Sequence, residues 1–175
     1  MKKIIFLEGL PNVGKTTIIQ NIKKLGLKNI YTVDEVINND TKQERTEYYL
    51  KNDELKLDCY DDGIIVIDRG MISTISYEQA KHIINPTYNC DKANIWFNDI
   101  KKLYDKDYVK VLYLKRSNGS IFLPYEDNND PYGSVENQKL LESISLFNIK
   151  KYVKNYEIKE YDYYSIGDVI YEIVN

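Results

Sequence analysis

The sequence predicts an α/β fold, a three-layer sandwich in which helices cover both faces of a parallel β-sheet. Three observations support this prediction. Short apolar runs alternate with longer helical segments along all 175 residues, with no visible linker or internal repeat. A glycine-rich segment from Gly9 to Thr17 joins the first apolar run to the first helical segment. Residues 64–67, Ile-Ile-Val-Ile, end directly at an acid–base pair. A chain of this length suits one domain, residues 1–175.

Five segments are predicted to be strands because they are short and rich in apolar, β-branched or aromatic residues. The first contains the uninterrupted apolar run of residues 4–7, as expected for a strand buried on both faces of a parallel sheet. The third contains four β-branched residues in succession and is the strongest strand signal in the chain. The predicted strands are residues 2–8, 29–33, 64–67, 108–114 and 157–163.

Helices are predicted where charged and apolar residues alternate over long stretches, at 15–25, 41–60, 73–84, 91–104, 134–154 and after 165. Most have boundary signals. Gly26 suits a C-cap, Gly63 stops the second helix, and Pro86 follows the third. Ser134 suits an N-cap, and residues 165–168 resemble a capping box. The fifth helix is expected to bury an apolar face formed by Leu140, Leu141, Ile144, Phe147 and Val153.

Charge and composition exclude several classes of protein. The formal net charge is −3 and the sequence pI is about 5.3, so no broad basic field is present to hold a long nucleic acid or an anionic membrane. Cys59 and Cys90 occur without a CxxC motif or a histidine cluster, which argues against a disulfide framework or a zinc site. Without a signal peptide or a long apolar run, the expected location is cytoplasmic.

The glycine-rich segment has the spacing G-x-x-x-x-G-K-T between a strand and a helix, which is typical of a nucleotide phosphate-binding loop. The two glycines let successive backbone N–H groups face one concavity. Lys15 can reach the β- and γ-phosphates, and the Thr16 hydroxyl is the expected ligand of Mg²⁺. The predicted phosphate-binding residues are Gly9, Asn12, Val13, Gly14, Lys15, Thr16 and Thr17.

Polar residues also follow two other strands. Asp34 and Glu35 come after the second strand, where either could act as a base, and Asp68-Arg69 comes after the third. Since the carboxyl ends of parallel strands meet at one edge, these residues are expected beside the phosphate-binding loop. Asp68 would face a metal and Arg69 an anion. The polar stretch 115–133 is a candidate lid that begins at Arg116.

At these residues the chain resembles the thymidylate kinase and deoxynucleoside kinase superfamily. Glu8-Gly9 leading into the phosphate-binding loop is similar to that family's loop, and residues 66–77 are similar to its D-R motif, although Gly70 departs from it. Residues 33–36 are similar to the segment that carries a catalytic Glu in nucleoside kinases. The resemblance implies a five-stranded parallel sheet, a homodimer, and transfer of the ATP γ-phosphate to a nucleoside monophosphate or a deoxynucleoside. A thymidylate kinase-like monophosphate acceptor is slightly preferred, because Arg69 offers a phosphate clamp.

Phosphoryl transfer requires positioning and charge neutralisation, and this assigns a role to each candidate. Lys15 and Mg²⁺, held by Thr16 and Asp68, would neutralise the phosphate oxygens. Arg69 would bind the acceptor's 5′ phosphate or the transferring group. Glu35 would accept a proton from a nucleoside hydroxyl, a step that a monophosphate acceptor does not need. Arg116 would reach over the phosphates when the lid closes.

Alternatives remain open at this stage. Family lids usually carry several arginines, whereas this chain has only Arg45, Arg69 and Arg116, so a nucleotide-binding regulator or sensor without an acceptor is a second hypothesis. A kinase acting on another small alcohol or on a polynucleotide end is a third. A solvated helix face is favoured for Arg45. Packing in the core, rather than stacking on an acceptor base, is favoured for Tyr48, Tyr49 and Trp96.

Overall fold

A computed structural model describes residues 2–116, 127, 129–161 and 166–174. Five strands form one parallel sheet in the order β2-β3-β1-β4-β5. The predicted fold class and all five predicted strands are therefore confirmed. The strands are β1 (Lys3–Glu8), β2 (Ile30–Val33), β3 (Ile64–Asp68), β4 (Val109–Arg116) and β5 (Tyr156–Tyr161).

Helices cover the two faces of this sheet and create two separate cores. Because side chains alternate along a strand, Ile4 and Phe6 of β1 enter one core, whereas Ile5 and Leu7 enter the other. The first core is closed mainly by the helices of the middle of the chain, and the second mainly by the first and last helices. The helices are α1 (Lys15–Leu25), α2 (Arg45–Leu57), α3 (Met71–Ile84), α4 (Asp91–Ile100), α5 (Val135–Tyr152) and α6 (Ile166–Val174).

Two helix boundaries differ from the prediction by four residues, and the others differ by less. Helix α2 begins at Arg45, because the Asn38 and Asp40 side chains accept hydrogen bonds from the backbone N–H groups two residues ahead and hold a turn instead. Helix α4 ends at Ile100, and the chain continues as a 3-10 helix over Lys101–Asp105. The central parts of both predicted helices are confirmed.

The predicted apolar face of α5 is partly wrong. Phe147 is 59% exposed, and the buried residues of α5 include Gln138, Ser145 and Asn148. The Asn148 amide donates to Ser76 Oγ (3.0 Å) and Gln79 Oε1 (2.9 Å), so α5 meets α3 through hydrogen bonds as well as apolar contacts. A helix that buries polar side chains in this way has a weak hydrophobic periodicity, which explains why the sequence indicated the wrong face.

The segment that leads into α5 bears on two predictions. Ser134 Oγ accepts a hydrogen bond from the backbone N–H of Asn137 (3.1 Å), which confirms the predicted N-cap. Most of the candidate lid, including residues 117–126 and 128, lies outside the described residues, and so does Ser165 of the predicted capping box. Within the described ranges, no helix combines the length and apolarity needed to cross a membrane.

Candidate active site

The glycine-rich segment connects β1 to α1 and has the backbone conformation of an anion-binding loop. Gly9, Asn12 and Gly14 all have positive φ, at 137°, 63° and 96°. A Cβ at Gly9 would lie 2.5 Å from the backbone oxygen of Leu114, so no larger residue fits where the loop crosses β4. The loop therefore requires the glycine that the motif supplies.

Lys15 lies folded back across this loop. Its side chain is buried, and Nζ donates to the backbone oxygens of Gly9 (2.9 Å) and Leu10 (2.8 Å). Burial lowers the pKa of Lys15 to about 7. Since a triphosphate would bring negative charge to the same loop, binding would favour the protonated ammonium.

Thr16 and Asp68 join the phosphate-binding loop to the end of β3. Thr16 Oγ1 donates to Asp68 Oδ2 (2.9 Å), while the other carboxylate oxygen, Oδ1, is buried and has no hydrogen-bond partner within the part of the chain that is described. Burial raises the pKa of the Asp68 carboxyl. A hydroxyl beside a carboxylate with an unused oxygen is a donor set that fits Mg²⁺, which prefers hard oxygen ligands and retains several waters.

Arg69 and Glu35 meet beside the loop. Arg69 Nε lies 3.3 Å from Glu35 Oε1, and Arg69 Nη1 donates to Tyr132 Oη (2.8 Å). Of the two acids after β2, Glu35 is thus the one beside Arg69. Asp34 instead pairs with Lys23 of α1 at 2.7 Å, and its side chain is 59% exposed. The structure therefore brings four predicted residues, Lys15, Glu35, Asp68 and Arg69, to one edge of the sheet.

The turn after β3 is held by buried charges. Glu8 Oε1 accepts a hydrogen bond from the backbone N–H of Gly70 (3.0 Å), and Glu8 Oε2 accepts one from Ser73 Oγ. Burial raises the pKa of Glu8 to about 7. A Cβ at residue 70 would lie 2.4 Å from Cδ1 of Phe6, which explains the glycine that departs from the D-R motif. Lys56 also holds this turn, by donating to the backbone oxygens of Asp68 and Arg69.

A cleft opens next to Arg69 between α2, α3 and the segment before α5. It encloses about 580 Å³, including the open space at its mouth, and its lining includes Glu35, Arg69, Tyr49 and Tyr132. Arg45 is exposed but also lines the cleft, so its helix face is not merely solvated. Tyr49 lines the cleft as well, contrary to the favoured core position.

The other two aromatic residues considered from the sequence point elsewhere. The Tyr48 hydroxyl donates to the backbone oxygen of Asn38 (2.9 Å), and Trp96 Nε1 donates to Glu54 Oε1 (3.0 Å). Trp96 also packs against the core of the middle helices, as predicted. The side chain of Arg116 lies outside the described residues, so its predicted role at the phosphates stays a prediction.

Comparison of the sequence with protein-family models and with curated proteins gives no match. Solved structures do match over almost the whole chain. A thymidylate kinase from Ehrlichia chaffeensis is 15% identical with a TM-score of 0.61, covering 99% of this chain and 97% of that one. A thymidylate kinase from Candida albicans is 19% identical with a TM-score of 0.60, covering 98% and 89%. A deoxyadenosine kinase from M. mycoides, solved with bound dATP, is 16% identical with a TM-score of 0.58, covering 97% of each chain.

The chain has the P-loop nucleotide and deoxynucleoside kinase fold.

Within this P-loop kinase fold, sequence reasoning missed several residues that build the site. Tyr132 contacts Arg69, and Tyr77 fixes the segment that carries Tyr132, because its hydroxyl donates to Asp130 Oδ2 (2.6 Å). Lys56 and Glu8 hold the turn after β3. Glu8 had a signal in its position before the first glycine of the motif. Tyr77 had one as the last residue of the segment that resembles the D-R motif, whereas Lys56 and Tyr132 lie in ordinary helix or loop sequence that offers no such signal.

Proposed function

We propose that the chain is a phosphotransferase that moves the γ-phosphate of ATP to a nucleoside-type acceptor bound in the cleft beside Arg69. A single observation carries this proposal: the Glu35 carboxylate lies 3.3 Å from the Arg69 guanidinium, and both residues line a cleft at the sheet edge that also carries the phosphate-binding loop. A carboxylate placed there suits an acceptor that must lose a proton. A cytoplasmic location and a homodimer belong to the proposal as well.

In the donor half of the site, the phosphate-binding loop would hold ATP. Its backbone N–H groups and the Lys15 ammonium would bind the phosphate oxygens of ATP. Thr16 and Asp68 would hold Mg²⁺, which when bound neutralises charge on those oxygens. The unused buried oxygen of Asp68 supports this assignment.

In the acceptor half, Glu35 would accept the proton of a nucleoside hydroxyl as that oxygen attacks the γ-phosphorus. Arg69 would bind the transferring group through its planar fork, since its Nη1 and Nε are already oriented by Tyr132 and Glu35. Tyr49 and Tyr77 line the same cleft and offer aromatic surface to a base.

A nucleoside monophosphate is the second candidate acceptor, and the cations of the cleft favour it. Arg45 and Arg69 both line the cleft, and either could pair with an acceptor phosphate. The carboxylate of Glu35 favours a nucleoside instead, because a monophosphate acceptor is already ionised and has no proton for a base beside Arg69 to accept. We therefore place the nucleoside first.

The test is a coupled assay of ADP release with Mg²⁺-ATP and a panel of nucleosides and nucleoside monophosphates, run on the wild type and on Glu35→Gln. For a nucleoside acceptor, the loss of the base should lower kcat by at least about 100-fold. The affinity for ATP should not change. Asp34→Asn is the matched control, since the neighbouring acid pairs with Lys23 away from Arg69. ADP release that no acceptor stimulates would reject the proposal and support a nucleotide sensor.

A further inference from the structure

We propose that Lys56 is a positioning residue for the acceptor half of the reaction. Its buried ammonium holds the turn after β3 so that the Arg69 guanidinium faces the acceptor cleft. Lys56 belongs to the last turn of α2 and is only 2% exposed. The inference rests on the proposed function because it assumes that an acceptor binds in the cleft. The effect of Lys56 on the conformation of Arg69 can be tested separately.

All three protons of the Lys56 ammonium are engaged. Nζ donates to the backbone oxygens of Asp68 (3.1 Å) and Arg69 (3.0 Å) and to Asp53 Oδ1 (3.3 Å). An ammonium has three donors and no acceptor, so these bonds leave none for a ligand. Lys56 therefore acts on the site through the backbone that it binds.

That backbone needs support because Arg69 has a φ of 56°, a left-handed conformation that side-chain-bearing residues rarely adopt. Lys56 binds the two carbonyl oxygens of the turn, and Glu8 accepts from the N–H of Gly70 on the other side. Without the ammonium, the buried carbonyl group of Asp68 and the partly buried one of Arg69 lose a charged donor. The turn can then relax, and the Arg69 side chain would leave Glu35 and Tyr132.

Asp53 extends this arrangement to a second helix. Its other oxygen, Oδ2, accepts a hydrogen bond from Thr74 Oγ1 of α3 (2.6 Å). The Lys56–Asp53 ion pair thus connects α2, the turn after β3 and the first turns of α3, which together line the cleft. None of the three hydrogen bonds of Lys56 reaches residues 9–17. Lys56 does bind the backbone oxygen of Asp68, a proposed Mg²⁺ ligand, but Asp68 ends a regular strand and Thr16 holds its carboxylate. The main effect of Lys56 should therefore fall on Arg69 and the acceptor side.

The kinetic test compares Lys56→Met with Lys51→Met, an exposed lysine on the same helix whose Nζ lies 3.6 Å from Glu54. We expect Lys56→Met to lower kcat/KM for the nucleoside by about 10- to 100-fold, because small displacements of a positioning group have effects of this size. The KM for ATP should change by less than about twofold. Unchanged acceptor kinetics, or an equal loss for acceptor and ATP, would overturn the proposal.

The structural test is a crystal structure of Lys56→Met, which does not depend on turnover. We expect Arg69 to leave the left-handed region and Nη1 to lose the Tyr132 hydroxyl. An unchanged turn would overturn the proposal whatever the activity. If the wild type phosphorylates no acceptor, the proposed function is rejected but the role of Lys56 is not, because that role is tested by the conformation of Arg69 in the variant.

A second variant is needed in case Lys56→Met does not fold, since this substitution leaves the buried Asp53 carboxylate without its cation. The double variant Asp53→Asn with Lys56→Met removes both charges and should fold. It should show the same selective loss at the acceptor side. Failure of both variants to fold would also overturn the proposal, since the pair would then support the whole domain rather than the acceptor side.

Discussion

The two halves of the site are built in different ways. The phosphate-binding loop is one continuous segment, residues 9–17, and its geometry comes from backbone conformation and one lysine. The cleft beside Arg69, which we propose as the acceptor site, is assembled from the end of β2, helices α2 and α3, and Tyr132 before α5. A continuous loop depends on the residues of its own segment. An assembled cleft depends on buried contacts that hold separate segments together, so changes to its residues should be separable from ATP binding.

The largest effect is expected on the donor side. Lys15→Ala removes the only cation of the loop and should lower kcat/KM by at least about 1000-fold, because the ammonium would neutralise charge that develops on the transferring phosphate. Lys24→Ala, at the exposed end of α1, is the matched control. Steady-state assays with Mg²⁺-ATP measure both. Near-normal turnover of Lys15→Ala would contradict the assignment of the loop as the donor site.

The next largest effect is expected on the acceptor side. Arg69→Ala should lower kcat/KM for the acceptor by roughly 100-fold while calorimetry shows an unchanged affinity for Mg²⁺-ATP. Arg69→Lys should recover little, since an ammonium cannot reproduce a fork that binds Glu35 and Tyr132 together. If ATP affinity fell in parallel with turnover, the two halves would not be separable and the comparison would fail.

The contrast between the halves also explains what the sequence could predict. The fold and the phosphate-binding loop depend on local signals, such as β-branched runs, helix caps and the glycine spacing, and the predicted succession of strands and helices along the chain is found. The acid–base pair Asp68-Arg69 was predictable because it follows the strongest strand. Its neighbour Glu35 was predictable only as one of two acids, because the sequence does not show that Glu35 lies beside Arg69 while Asp34 pairs with Lys23.

The residues that assemble the cleft could not be predicted because their signals are tertiary. Lys56 resembles any lysine on a charged helix, and Tyr132 is one of 17 tyrosines. The same cause explains the wrong face of α5, where buried Asn148 replaces the expected Phe147. A polar residue that makes its hydrogen bonds across a helix interface cannot be distinguished, from local sequence, from one that faces water.

A smaller effect is expected from the contact between the cleft and the segment before α5. Tyr132→Phe removes the hydroxyl that accepts from Arg69 Nη1 at 2.8 Å and keeps the ring in place. A hydrogen bond to a charged group has an energy that corresponds to a loss of roughly 10-fold in acceptor kcat/KM. The exposed Tyr108 provides the control variant, Tyr108→Phe. Acceptor kinetics equal to those of the wild type would show that Glu35 alone orients the guanidinium.

The smallest expected effect is the uptake of one proton when ATP binds, and it belongs to the donor side. Burial lowers the pKa of Lys15 to about 7, so the free protein carries this lysine mostly charged at pH 6 and mostly neutral at pH 8. A bound triphosphate raises that pKa, so binding should take up close to one proton at pH 8 and little at pH 6. Calorimetry in buffers of different ionisation enthalpy measures the uptake. Lys15→Arg keeps a permanent charge and should abolish the pH dependence. Uptake that persists in this variant would assign the proton to Glu8, whose pKa is also about 7, and would move the titrating group from the loop to the turn that supports the acceptor side.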